Sequence, residues 1–278
     1  MKFINIAIYF LIALSSCNSE AHKTSPQSTN GLIQRFKPFL NGVWVQADYM
    51  DAILKTKSPF KSSERLTFIT ELIIDVSEIS ADSTRVDIAL GNHEGSDFIL
   101  YFKQGKKQNS LLTSITDFEQ PTDSYELGYE VSSNDTLLAI YHYDKNKKLL
   151  DKTNYIKVAG ISPGSSMEDG FQYMVNKKLI TGSYRVTDSA GIERSTRLTS
   201  EGAITGLPGF STYYIITDFV ASPEDNMDKI CFDIQTDQQT CYAFEINRDT
   251  ISLFKACEDE TDTLFKKGNA LYKFVKQF

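Results

Sequence analysis

The sequence predicts a mainly β protein made of two consecutive antiparallel units of about eight strands each. Three observations carry this expectation: a hydrophobic period of two from Leu66 onward, turn-forming residues at short spacing between the alternating runs, and short matches between the two halves that keep the same order. One large barrel or a two-sheet sandwich is the alternative arrangement of the same strands.

In chain order, the first thirty residues read as an address. Met1-Lys2 gives a positive start, and Phe3 to Leu14 is a twelve-residue apolar run interrupted only by Asn5. A helix of that length falls short of the ~30 Å hydrocarbon core, so the run reads as the apolar centre of a secretory signal. Leu14-Ser15-Ser16-Cys17 resembles the lipobox of bacterial lipoproteins: an aliphatic residue, two small residues, then the cysteine. The resemblance implies a signal peptide over 1–16, acylation of Cys17 and anchoring to a membrane by several acyl chains, each buried CH₂ contributing ~0.8 kcal/mol. Asn18 stands where lipoproteins kept in the inner membrane of enteric bacteria carry Asp, which favours the outer membrane of the cell envelope, with both of its faces left open. Asn18 to Asn30 contains no large apolar residue, so residues 17–35 are expected to be an acylated flexible tether.

The folded part opens with Gly42-Val43-Trp44 on a first strand, followed by one short helix over 47–57 that Pro59 stops. Alternation then sets in. Phe68, Leu72, Ile74 and Val76 share one parity, Val86, Ile88 and Leu90 continue it, Phe98, Leu100 and Phe102 follow, and Tyr125, Leu127 and Tyr129 alternate with Glu126, Gly128 and Glu130. Such runs are half-buried antiparallel strands. Gly91-Asn92, Gly105-Lys106, Ser133-Asn134-Asp135 and Asp144-Lys145-Asn146 are among the turns between them. Late in the chain, a hairpin centred on Thr236 sets Cys231 opposite Cys241 and keeps Ile230 and Phe232 on the face of Tyr242 and Phe244. A cross-strand disulfide on the outer, polar face is expected there, with Cys257 as the odd thiol.

Self-comparison aligns Gly42-Val43-Trp44 with Gly182-Ser183-Tyr184, Arg65-Leu66-Thr67 with Arg197-Leu198-Thr199, and Ile115-Thr116-Asp117-Phe118 with Ile216-Thr217-Asp218-Phe219. Asp135-Thr136 matches Asp249-Thr250, and the closing Tyr155-Ile156-Lys157-Val158 matches Tyr272-Lys273-Phe274-Val275. The division implied is a first domain over 36–160, a linker over 161–169 and a second domain over 170–278, each expected to melt cooperatively alone. A Gly-x-Trp on the first strand followed by meandering alternating strands is similar to the lipocalin (calycin) superfamily. Ile180-Thr181-Gly182-Ser183-Tyr184, Gly202-Ala203-Ile204-Thr205-Gly206-Leu207 and the closing Phe274-Val275-Lys276 resemble lipocalin-like lipoproteins of the Bacteroidota type. The resemblance implies two tandem eight-stranded lipocalin-like barrels, each a cup for a small, usually apolar ligand. In that family the tryptophan packs under an arginine near the last strand; here the closing segment brings Lys157, and the second copy has Tyr184 in place of the tryptophan.

Composition narrows the chemistry. A formal charge of −7 has the wrong sign for neutralising phosphates, which excludes nucleic acid as a partner. There is no Gly-x-Ser-x-Gly, the three histidines (His22, His93 and His142) are too few for a zinc site, and the acidic stretches Glu224–Asp228 and Glu258–Asp262 lack the glycine turn of a calcium loop. No metal, cofactor or catalytic set is expected. The reading is a non-enzymatic, membrane-anchored protein holding a small apolar ligand among Phe98, Leu100, Phe102, Tyr125 and Tyr129 in the first unit and Tyr213, Phe232 and Phe244 in the second. The same residues equally suit a structural lipoprotein with filled barrels that docks an envelope protein. An enzyme would need a pocket gathering His142 or His93 with two carboxylates.

Overall fold

The computed structural model describes residues 28–91, 93–131, 135–219, 226–258 and 265–278. The signal segment 1–16, Cys17 and the tether as far as residue 27 lie outside the described residues, as do parts of both acidic stretches. Among the described residues, sixteen strands and three α-helices form one closed eight-stranded antiparallel barrel and one open eight-stranded antiparallel sheet.

The barrel strands are β1 (Gly42–Gln46), β2 (Ile69–Ile74), β3 (Ser83–Leu90), β4 (Glu94–Gln104), β5 (Ser110–Thr113), β6 (Ser124–Val131), β7 (Thr136–Tyr143) and β8 (Leu149–Lys157). Each pairs with the next, and β8 closes on β1 with Trp44 opposite Lys157 and Gln46 opposite Tyr155. Alternation sends Val86, Leu100, Phe102, Leu127 and Leu138 inward. One end is stoppered by α1 (Thr29–Leu40): the Ser28 hydroxyl caps it by accepting from the Gly31 N–H, and Leu32, Phe36 and Leu40, four residues apart, join the barrel core. The tether reading over 17–35 is corrected here, because three apolar side chains at helical spacing give residues 29–40 the buried surface that Asn18 to Ser28 lacks in sequence. The helix expected over 47–57 is α2 (Ala47–Thr56), closed by Lys57, whose N–H returns to the Ile53 carbonyl at 2.9 Å from a left-handed conformation.

The second sheet comprises β9 (Gly182–Asp188), β10 (Glu193–Leu198), β11 (Ile204–Thr205), β12 (Tyr213–Ile215), β13 (Lys229–Phe232), β14 (Thr240–Asn247), β15 (Thr250–Glu258) and β16 (Phe265–Gln277). Its order, β11-β10-β9-β16-β15-β14-β13-β12, is that of an unrolled barrel. The second closed barrel expected from sequence is not formed. The edge strands are two and three residues long, and among the described residues they meet at the single bridge Ala203–Thr212, beside the Tyr213 N–H bonded to the Gly202 carbonyl at 2.7 Å.

The concave face of that sheet is filled from outside its own strands. Helix α3 (Asp169–Leu179) contributes Phe171, Val175 and Leu179; α2 contributes Tyr49, Met50 and Ile53; and the outer face of the barrel adds Val43, Val45 and Ile73. These pack with Tyr184, Phe232, Phe244 and Phe274 in one core, where the Tyr49 and Phe171 rings stack at 5.3 Å. The two units share this core, so the expectation that each melts alone meets a joint hydrophobic interior. Polar contacts reinforce it: Asp228 accepts from the Phe60 N–H at 2.7 Å, and Asp218 bonds His93 Nδ1 at 2.7 Å, which raises the His93 pKa.

Glu71 is the most consequential of these contacts. It sits fully buried on the outside of β2 and receives the Glu168 N–H (3.1 Å) and the Phe171 N–H (2.5 Å), so a barrel strand caps the helix of the other unit. Burial pushes its carboxyl up to about 8, against the pull of the two N–H donors. Because the folded pKa lies above the unfolded one, near 4.5, this group's contribution is full below pH ~4.5 and is lost as pH rises through ~8. Denaturant titrations from pH 5 to 9 should show wild type losing stability relative to Glu71→Gln by on the order of a few kcal/mol. Parallel pH profiles for the two proteins would contradict this assignment.

The two units also resemble each other in their leading helices. Leu32, Phe36 and Leu40 before β1 match Phe171, Val175 and Leu179 before β9. Trp44 Nε1 donates to the Leu40 carbonyl at 2.9 Å, and Tyr184 Oη donates to the Ile180 carbonyl at 2.6 Å. Lys157 Nζ lies 5.5 Å from the Trp44 ring centroid, and Lys276 stands opposite Tyr184 in register. Both lysines need the glycine two residues before the aromatic: a Cβ on Gly42 would lie 2.6 Å from Lys157 Cε, and one on Gly182 would lie 3.0 Å from Lys276 Cε. The closing-strand match is therefore corrected by two residues, Lys157 corresponding to Lys276. Asp135-Thr136 and Asp249-Thr250 do open equivalent strands, β7 and β15. The Arg-Leu-Thr pair does not correspond, since one precedes β2 and the other ends β10, and the Ile-Thr-Asp-Phe segments follow the fifth strand of one unit and the fourth of the other.

Candidate functional site

The barrel end opposite α1 opens into a cavity of about 810 Å³. Its floor is the top layer of the barrel core, Ile69, Ile140 and Tyr155, with the Tyr155 hydroxyl donating to the Ile69 carbonyl at 3.0 Å. One wall is the segment leading into β2, which the Gln46 amide holds in place: Nε2 donates to the Arg65 carbonyl at 2.5 Å and Oε1 accepts from the Thr67 N–H at 3.1 Å. The facing wall is the loop after β5, turned by Asp117, whose Oδ1 accepts from the Glu119 and Gln120 N–H groups at 2.8 and 3.2 Å. Phe68 and Phe118, 72% and 99% exposed, stand at the rim.

Strand parity places a polar cluster on the inner face near the mouth. His142 follows Leu138 and Ile140 on β7 at alternate positions, and its ring stacks on Tyr125 with centroids 4.4 Å apart. Each imidazole nitrogen faces a carboxylate, Nε2 to Asp123 at 2.9 Å and Nδ1 to Asp151 at 3.2 Å. Burial, with help from Asp117, Asp151 and Asp123, pushes the Tyr125 hydroxyl up to about 12. The cavity is bordered by five carboxylates, Asp48, Glu64, Asp117, Glu119 and Asp151, against Arg65 and Lys152. Lys152 is itself held by Glu130 at 3.0 and 3.1 Å.

Of the aromatic and apolar residues singled out from sequence, Tyr125 lines this cavity. Phe98, Leu100 and Phe102 are buried in the barrel core, and Tyr129 closes the opposite end against Phe36 and Phe39 at 5.1 and 4.2 Å. Tyr213, Phe232 and Phe244 are buried in the shared core, because α2 and α3 occupy the space a second cup would need. Cys231 and Cys241 are joined across β13 and β14. The bridge is half-buried rather than external, since Tyr214 of β12 pairs beside Cys231, which is 3% exposed. Cys257 is a free thiol.

Sequence reasoning missed most of the cup. Parity in the sequence groups Phe68 with Leu72, but a register shift between Ile69 and Glu71 changes the side that each residue faces, turning Ile69 inward and leaving Phe68 at the rim. The wall loops have no periodicity to read.

No protein-family model, curated protein or solved structure matches the chain. Among the described residues no group of three or more His, Cys, Asp and Glu side chains is arranged to hold a metal ion, and no helix is long and apolar enough to cross a membrane. What the mouth offers is an apolar floor, aromatic rims and an acidic border, suited to taking up an apolar body from water.

Proposed function

We propose that this chain is a lipid-anchored lipoprotein of the cell envelope, lipocalin-like in its first unit, that holds a small, largely apolar molecule in the cup of that barrel without transforming it. The observation carrying this reading is the open cavity of about 810 Å³ over Ile69, Ile140 and Tyr155, a size in the range of small-molecule sites. Cys17 supplies the anchor, in the outer membrane as Asn18 favours. A general base must keep a nitrogen free for the proton it takes, and both His142 nitrogens are engaged by carboxylates, which supports binding rather than catalysis. For the second unit the filled interior favours the structural reading: it braces the barrel and leaves its outer surface for an envelope partner.

The test is native mass spectrometry of the full chain purified from its own membrane. The expected spectrum shows the acylated mass plus a small-molecule adduct, which Ile140→Trp removes by filling the cup while the thermal melt persists. A wild-type mass accounted for by protein and acyl chains, with no adduct, would overturn the cup reading. In the same cells Cys17→Ala should leave an unprocessed precursor outside the acylated membrane fraction; a mutant still labelled by palmitate would remove the anchor.

A further inference from the structure

We propose that the molecule held in the cup carries a positively charged group, an amine, a quaternary ammonium or a guanidinium, at the mouth end of its apolar body. The inference rests on the cup being a ligand site and specifies the chemistry of that ligand. Five carboxylates border the cavity, one of which, Asp151, faces His142 Nδ1, and of the two basic lining side chains Lys152 is already bound to Glu130. The low-dielectric floor beneath focuses their field toward the opening. Of the four aromatic rings in the same lining, Tyr125, Phe68 and Phe118 stand above the Tyr155 floor, and the faces of such rings attract cations. Tyr125 registers the field: after burial itself, the neighbouring Asp117, Asp151 and Asp123 hold its hydroxyl in the protonated form.

Competing occupants fare worse at this border. A fatty-acid carboxylate would meet like charges at the point where the apolar tail enters. An anionic lipid surface would be repelled for the same reason. A dissolved cationic amphiphile satisfies both the floor and the border.

The experiment uses the full acylated chain in discs of neutral lipid, with empty discs as blank, and isothermal titration with three probes sharing one body: 4-phenylbutylamine, 4-phenylbutanol and 4-phenylbutyrate. The amine should bind about tenfold more tightly than the alcohol, the alcohol more tightly than the carboxylate, and added salt should narrow both gaps. The double variant Asp117→Asn, Asp151→Asn should bring the amine to the level of the alcohol measured on the same variant. An alcohol that binds as well as the amine in wild type, or an amine preference that survives the double variant, would overturn the cationic inference and leave the cup reading standing. Binding of none of the three would overturn both.

Discussion

The second half of the chain, expressed alone as Gly164 to Phe278, is expected to show no cooperative melt. Its sheet does not own its core: Val43, Val45, Tyr49, Met50, Ile53 and Ile73 come from the first half and are buried among Tyr184, Phe232, Phe244 and Phe274. Truncating one large buried side chain costs roughly 2–5 kcal/mol, and a domain holds about 5–15 kcal/mol in total, so losing six such side chains exceeds what the sheet can bear. The open edge compounds the loss, because β11 and β12 are too short to seal the sheet around a collapsed interior. Near-ultraviolet circular dichroism through a thermal ramp reads the outcome, and addition of the separate first half should restore the signal. A sigmoidal transition from the isolated fragment would mean that its eight strands rearrange into a self-sufficient core. A graded version within the full chain is Tyr49→Ala, expected to cost about 3–5 kcal/mol because the ring stacks on Phe171 inside that shared core.

The limits of the sequence reading follow from the same packing. Period-two alternation is legible where a strand has one buried face, as in β3 and β4, and the alternating runs locate β2, β3, β4 and β6 of the barrel. It fails where a bulge changes parity, as between Ile69 and Glu71, and there the reading placed Phe68 inside. Helices α1 and α3 each bury a stripe of three apolar residues four apart. The first stripe straddles the tether boundary at residue 35, with Leu32 on the tether side, and the second lies inside the region read as the second β domain, where strands rather than a helix are expected. The lock between the units was not legible at all. Glu71 reads as an outward residue of an alternating strand, and only the three-dimensional arrangement brings the start of α3 onto it. Tyr125 was legible because it lies on a regular strand, whereas Gln46, Thr67 and Asp117 act through backbone groups of neighbouring loops that leave no periodic trace.

Truncation of the N-terminus should divide sharply at α1. A chain starting at Ser28 keeps the cap on Gly31 and the whole helix, and is expected to melt as the full chain does. A chain starting at Gly42 loses Leu32, Phe36 and Leu40, which are 2%, 0% and 0% exposed in the barrel core, and it strips Tyr129 of both aromatic partners. It also leaves the buried Trp44 indole N–H without the Leu40 carbonyl, a further cost of about 1–3 kcal/mol. Phe36→Ala, which retains the helix but removes one ring, should fall between the two at about 3–5 kcal/mol, equivalent to roughly 10 °C in melting temperature. The only tryptophan of the sequence is Trp44, so its emission reports directly on the stoppered end. Blue-shifted emission is expected for the Ser28 start and red-shifted emission for the Gly42 start, with a melting temperature lowered by more than Phe36→Ala lowers it. Native emission and an unshifted melt from the Gly42 start would show that Trp44 and Lys157 close the barrel unaided, and that α1 is dispensable for holding open the cup at the other end.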